Sequence, residues 1–93
     1  MSFEEVPMLK IYGSMLCGDC VQCRADLDAA GVSYEYLDFA DALGNLKEFL
    51  KLRDSHPAFA EARQEGYIGI PCLVADSGEI SLSWSNYVSQ DKA

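Results

Sequence analysis

From Tyr12 to Cys23 the chain reads YGSMLCGDCVQC, with three cysteines at successive intervals of three directly after a short apolar run. The run MLKIYG (8–13) is apolar and bounded by Gly13, which predicts a strand. The segment CGDCVQCRADLDAAG (17–31) predicts a helix stopped by Gly31, with Val21, Cys23, Leu27 and Ala30 lining its inner face. A strand that feeds directly into a helix, with more strands to follow, points to an α/β domain.

The rest of the chain supplies those strands. VSYEYLDF (32–39) alternates and is rich in aromatics, so it predicts a second strand. Asp41 is the expected cap of a helix running to about Asp54, with Leu43, Leu46, Phe49 and Leu50 facing inward. SHPAFAEARQEG restarts a helix, with Ser55 or His56 as cap, Pro57 in the first turn and Gly66 at the end. IPCLVAD (70–76) and EISLSW (79–84), joined through DSG, predict an antiparallel hairpin. SNYVSQDKA adds one short helix. The expected order is β-α-β-α-α-β-β-α, with a right-handed parallel first βαβ unit and helices on both faces of a four-stranded mixed sheet.

Ninety-three residues suit a single domain, 1–93, that buries only roughly 60–65% of its unfolded surface. A net charge of −8 argues against nucleic acid and against an anionic membrane surface as partners. No apolar run approaches the roughly 18–20 residues that span a bilayer. The opening MSFEEVP has no apolar core of a secretory signal, so a cytoplasmic location is expected. Clustered cysteines in that reducing compartment point to catalysis or metal binding rather than to a disulfide scaffold.

A Cys-x-x-Cys pair at a helix mouth has a definite chemical use. The first sulfur sits where unpaired backbone N–H groups and the positive dipole end stabilise an anion. A thiolate there is reactive at neutral pH. The second sulfur, one turn on, can close a disulfide and expel whatever the first has captured. Cys17 is the candidate nucleophile and Cys20 the resolving thiol. Gly18 leaves an incoming disulfide unobstructed. Asp19 suits a helix N-terminus yet disfavours a neighbouring thiolate. The same spacing can equally be half of a zinc site.

GIPC (69–72) is the second signal. A proline opening a strand cannot donate to the ladder. A cis Ile70–Pro71 bond would place the Ile70 backbone where an extended substrate can pair with it, whereas an ordinary trans proline at a strand start would need no such role.

Taken together, KIYGSMLCGDC, AAGVSYEYLDF and IGIPCLV resemble, in the same order, the glutaredoxin-type branch of the thioredoxin-fold family, above all small bacterial glutaredoxin-related proteins. That resemblance covers nearly the whole chain. It implies a thioredoxin-like fold, a cis Pro71 beside the Cys17–Cys20 pair, and a role in cellular redox homeostasis as a thiol–disulfide oxidoreductase. The expected substrate-binding residues are Ser14, Leu16, Gly18, Asp19, Ile70 and Pro71. The expected partners are a disulfide-containing protein or a small thiol, acting on a monomer that needs no bound cofactor. Glutathione or a thioredoxin-reductase-type protein is the implied electron donor. The glutathione-holding residues of that family are not matched. Ser14 replaces a lysine, Gly18 and Asp19 replace proline and tyrosine, and SLSWSNY replaces a Gly-Gly and a capping aspartate.

Two further sulfurs need a reading. Cys23, on the inward helix face, and Cys72, directly after Pro71, read first as buried core thiols. The sharper reading makes them accessory thiols that relay oxidation, or that join Cys17 and Cys20 as ligands of zinc or an iron–sulfur cluster. Helix geometry opposes such a metal site, since Cys17 to Cys23 rises roughly 9 Å. A third reading is a binding module whose thiols are idle. His56 reads as an exposed helix-start residue. Trp84 and Tyr87 read as packing at the sheet end, and Lys47, Lys51 and Arg53 as a solvated face. Tyr34 and Tyr36, on one strand face, should cover a helix.

Overall fold

The computed structural model describes residues 9–88. Strand β1 is Leu9–Gly13 and helix α1 is Gly18–Ala29. Strand β2, Tyr34–Asp38, is followed by helix α2, Leu43–Ser55. A 3-10 turn, Pro57–Phe59, leads into α3, Ala60–Glu65. Strands β3, Cys72–Val74, and β4, Ile80–Ser81, precede the short helix α4, Ser85–Val88. The strand start expected at Met8 and the tail expected beyond Val88 lie outside the described residues.

The four strands form one mixed sheet in the order β2-β1-β3-β4. β1 and β2 run parallel, with Leu9 opposite Tyr34 and Gly13 opposite Asp38. β3 runs antiparallel to β1, with Ile11 opposite Leu73 and Tyr12 opposite Cys72. β4 returns antiparallel to β3. Its turn closes when the Ala75 N–H donates to the Glu79 carbonyl and the Gly78 N–H to the Ala75 carbonyl, both at 2.8 Å.

Strand alternation divides the apolar residues between two cores. On one face Leu9, Ile11 and Leu73 pack against Cys23 and Leu27 of α1, with Trp84 and Tyr87 closing the edge. On the other, Tyr12 and Cys72 pack against Phe49 of α2, Phe59 and Ala62. Phe49 centres that second core, 5.2 Å from the Phe39 ring and 5.6 Å from the Phe59 ring. Helices therefore cover both faces. The mixed four-stranded sheet, the parallel first pair and the hairpin agree with the sequence reading. Among the described residues no helix is long and apolar enough to cross a membrane.

Several local expectations are corrected. The buried row of α1 is Cys20, Cys23 and Leu27, while Val21 is 43% exposed. The helix begins at Gly18, and spacings of three and four from Cys20 set its inner face; Val21 lies about 100° round from that row. Helix α2 is preceded by Ala42 as N-cap, without a side-chain cap, rather than by Asp41. Leu43 and Leu50 are 73% and 41% exposed. Leu46, Phe49 and Leu52 form the inward row instead. The third strand begins at Cys72 rather than Ile70.

Candidate functional site

After β1 ends at Gly13, Ser14 organises a tight turn. Its carbonyl accepts from the Cys17 N–H at 3.0 Å, and its hydroxyl accepts from the Leu16 N–H at 3.1 Å. The turn delivers Cys17 to the N-cap of α1 with extended backbone angles, φ −98° and ψ 123°. The Cys17 carbonyl then accepts the first helical hydrogen bond, from the Val21 N–H at 3.1 Å. The Cys17 side chain is half-buried and does not itself cap the helix. The positive end of α1 thus bears on the Cys17 sulfur. Leu16, before it, is 96% exposed; Gly18 and Asp19, after it, are exposed too.

Cys20 lies one turn inside, fully buried, and near enough to Cys17 for the two thiols to influence each other. Burial pushes its thiol up to about 11. A hydrogen bond from the Ser14 backbone pulls it down, and the Cys17 sulfur pushes it up again. The two sulfurs therefore differ in kind: one opens to solvent at a helix end, the other is held protonated underneath.

Room for the Cys20 sulfur comes from Gly13. A Cβ at that position would lie 2.7 Å from Cys20 Sγ and 2.8 Å from the Tyr36 hydroxyl. The Tyr36 hydroxyl is buried and makes no well-formed hydrogen bond. The Cys20 thiol is the polar group beside it. Burial, then the charge of Cys20, raise the Tyr36 phenol above its ordinary range. The Arg24 guanidinium stands 4.5 Å over the Tyr36 ring and donates to the Tyr34 hydroxyl at 3.3 Å.

A groove of about 530 Å³ opens beside Cys17. Cys17 and Asp19 line it together with Glu61 and Ala62 of α3, the loop Tyr67–Ile70, and Leu82. Arg53, expected on a solvated face, holds that loop by donating to the carbonyls of Tyr67 and of Ile68. The Ile70–Pro71 bond is cis, and Pro71 is buried. Of the expected substrate-binding residues, Asp19 and Ile70 line the groove. Ser14 shapes the turn, Leu16 projects to solvent, and Pro71 lies in the core.

Cys23 and Cys72 do not meet. They belong to cores on opposite faces of the sheet. Burial pushes each thiol up to about 12. Among the described residues no group of three or more His, Cys, Asp or Glu side chains converges to hold a metal ion. The four-sulfur arrangement fails because the sheet stands between two of its members. His56 is half-buried rather than exposed, and its Nδ1 accepts from the Ala58 N–H at 3.0 Å. Trp84 donates to Asp26 at 2.8 Å.

Gly13, Tyr36, Glu61 and the Tyr67–Ile68 wall are the site residues that the sequence reading missed. Gly13 carried one usable signal, as a glycine ending a buried strand. The others carried none, because they meet the cysteines only across the fold.

Fold and site together define a small α/β domain whose first helix presents a paired cysteine beside a groove. The chain belongs to one family with an uncharacterized protein of Haemophilus influenzae (strain ATCC 51907 / DSM 11121 / KW20 / Rd). The two are 39% identical over 75 residues, which cover 81% of this chain and 87% of that protein. No family model matches the chain, and no solved structure does.

Proposed function

We propose that the protein is a glutaredoxin-like thiol–disulfide oxidoreductase on a thioredoxin-like fold. The observation that carries this reading is the unequal sulfur pair: Cys17 half-exposed at the mouth of α1, on a groove, with buried Cys20 in reach beneath it. The element order, the parallel first pair, the antiparallel hairpin and the cis Ile70–Pro71 bond support the same reading.

The reaction proceeds in two exchanges. The Cys17 thiolate attacks one sulfur of a substrate disulfide; a Cys17–substrate disulfide forms and the other substrate sulfur leaves as a thiolate, which takes a proton from water. Cys20 then loses its proton and attacks Cys17 Sγ. The Cys17–Cys20 disulfide forms and the second substrate thiolate leaves. Two electrons pass from the cysteine pair to the substrate. An external thiol reductant, glutathione or a dithiol protein, restores the pair. The cytoplasm is the compartment that keeps such a pair reduced.

The test is capture and turnover. Cys20→Ser should accumulate a mixed disulfide through Cys17, read by intact mass, and Cys17→Ser should abolish reduction of 2-hydroxyethyl disulfide. A Cys20→Ser protein that forms no adduct, with Cys17→Ser as active as the parent, sinks the proposal.

A further inference from the structure

The lining of the groove narrows the substrate class, on the footing of the oxidoreductase reading. Its volume of about 530 Å³ lies within the roughly 300–1,000 Å³ of ligand sites. Ala58, Ala62, Tyr67, Ile68, Ile70 and Leu82 make it largely apolar. Among the described residues the only charged ones that line it are Asp19 and Glu61, and both are acids. Asp19 stands in the first turn of α1, two residues from the attacking sulfur, and Glu61 in the first turn of α3. Both are exposed.

The three arginines are committed elsewhere. Arg53 donates to the carbonyls of Tyr67 and Ile68, and Arg63 donates to the carbonyls of Arg53 and His56. Arg24 lies over Tyr36 and bonds Tyr34. None of the three lines the groove. The chain as a whole carries a net charge of −8. An anionic disulfide entering here meets two carboxylates and a repulsive overall field. A cationic one is attracted by both, over the roughly 8–10 Å that physiological salt leaves unscreened. Tyr67 and Ile68, both largely exposed, add apolar surface on which lysine or arginine stems can lie.

We propose that the groove selects a basic polypeptide segment whose disulfide is flanked by lysine or arginine side chains, and that Asp19 and Glu61 set this preference. The exchange is the one already written, with Cys17 attacking the peptide disulfide and the first peptide thiolate leaving. The preference acts on encounter and binding of the disulfide and leaves the electron count unchanged.

Three matched probes test it: the symmetric disulfides of acetyl-Lys-Cys-Lys-amide, acetyl-Gln-Cys-Gln-amide and acetyl-Glu-Cys-Glu-amide. Second-order rates with the reduced protein are divided by the rates with dithiothreitol, which removes differences in leaving-group chemistry. The normalised rate for the lysine probe should exceed that for the glutamate probe by roughly tenfold at low ionic strength, and the ratio should shrink as salt rises. In the Asp19→Asn, Glu61→Gln double variant the ratio should fall several-fold. Equal normalised rates in the parent protein, or a ratio unchanged in the double variant, overturn the charge preference while leaving the oxidoreductase reading intact. Failure to react with any of the three, the neutral glutamine probe included, defeats the oxidoreductase reading itself and this proposal with it.

Discussion

The buried hydroxyl of Tyr36 and the buried thiol of Cys20 share the space that a side chain at position 13 would fill. One point in that space lies 2.7 Å from the sulfur and 2.8 Å from the hydroxyl oxygen. Strand β2 brings Tyr36 there because it pairs in parallel with β1, and α1 brings Cys20 there from above. The hydroxyl pulls the Cys20 thiol down against the larger upward push of burial.

Tyr36→Phe removes only that hydroxyl. Stability should stay within about 1 kcal/mol of the parent, because the lost group makes no well-formed hydrogen bond. The resolving step should slow. The loss should be modest, because the hydroxyl is the least of the influences on the Cys20 thiol and a more basic thiolate is the stronger nucleophile. The measurement is stopped-flow release of thiol from a preformed Cys17 mixed disulfide across pH. A profile that coincides with the parent's reduces Tyr36 to packing.

Gly13→Ala should act on the same spot by crowding. Its Cβ would press on the Cys20 sulfur and the Tyr36 hydroxyl at once, and neither has slack in a packed interior. Overpacking of this kind costs about 1–3 kcal/mol. Urea unfolding should show the loss, and a midpoint unchanged from the parent would mean that the strand end yields freely.

Gly69→Ala faces two penalties. Gly69 has φ +94°, and an added Cβ would lie 2.8 Å from the ring of buried Phe59. The left-handed backbone costs about 1–2 kcal/mol, and the clash adds about 1–3 kcal/mol. Against a total stability of about 5–15 kcal/mol for a small domain, this is a severe lesion. Thermal unfolding reads it directly. Gly78→Ala, also at positive φ but with open space around its Cβ, should lose the backbone part alone.

Alkaline pH should destabilise the fold through its buried thiols. Burial raises Cys23 and Cys72 from an ordinary 9.0 to about 12, and Cys20 to about 11. The unfolded chain therefore gives up these protons at a lower pH than the native one. Their stabilising contribution is complete below pH 9 and is lost progressively from there towards pH 12. Each thiol adds a slope of at most about 1.4 kcal/mol per pH unit in that window. Cys23→Ala should flatten the dependence of unfolding free energy on pH between 9 and 10, whatever its effect at pH 7. An unaltered slope would show that Cys23 ionises alike in both states.

Much of the architecture was legible from local pattern. MLKIYG and VSYEYLDF declared strands by composition and alternation, DSG marked the hairpin, and Cys17 to Cys20 marked the helix mouth. Periodicity erred where a one-residue shift matters, placing Val21 inside α1 and Leu50 inside α2, because a helical row rotates about 100° per residue. The sequence could not show that Tyr36 reaches Cys20 or that Glu61 lines the same groove as Cys17. Nor could it show that Cys23 and Cys72 lie on opposite sides of the sheet.

The amino-acid order alone determined the succession of strands and helices and the three-residue spacing of Cys17 and Cys20, since these depend on neighbours along the chain. Only the tertiary structure decided which sulfur is open and which buried, what stands beside each, and that two acids join the apolar lining of the groove. Those properties arise from strand register and helix packing, which join residues such as 13, 20 and 36, or 19 and 61, that no local interaction connects.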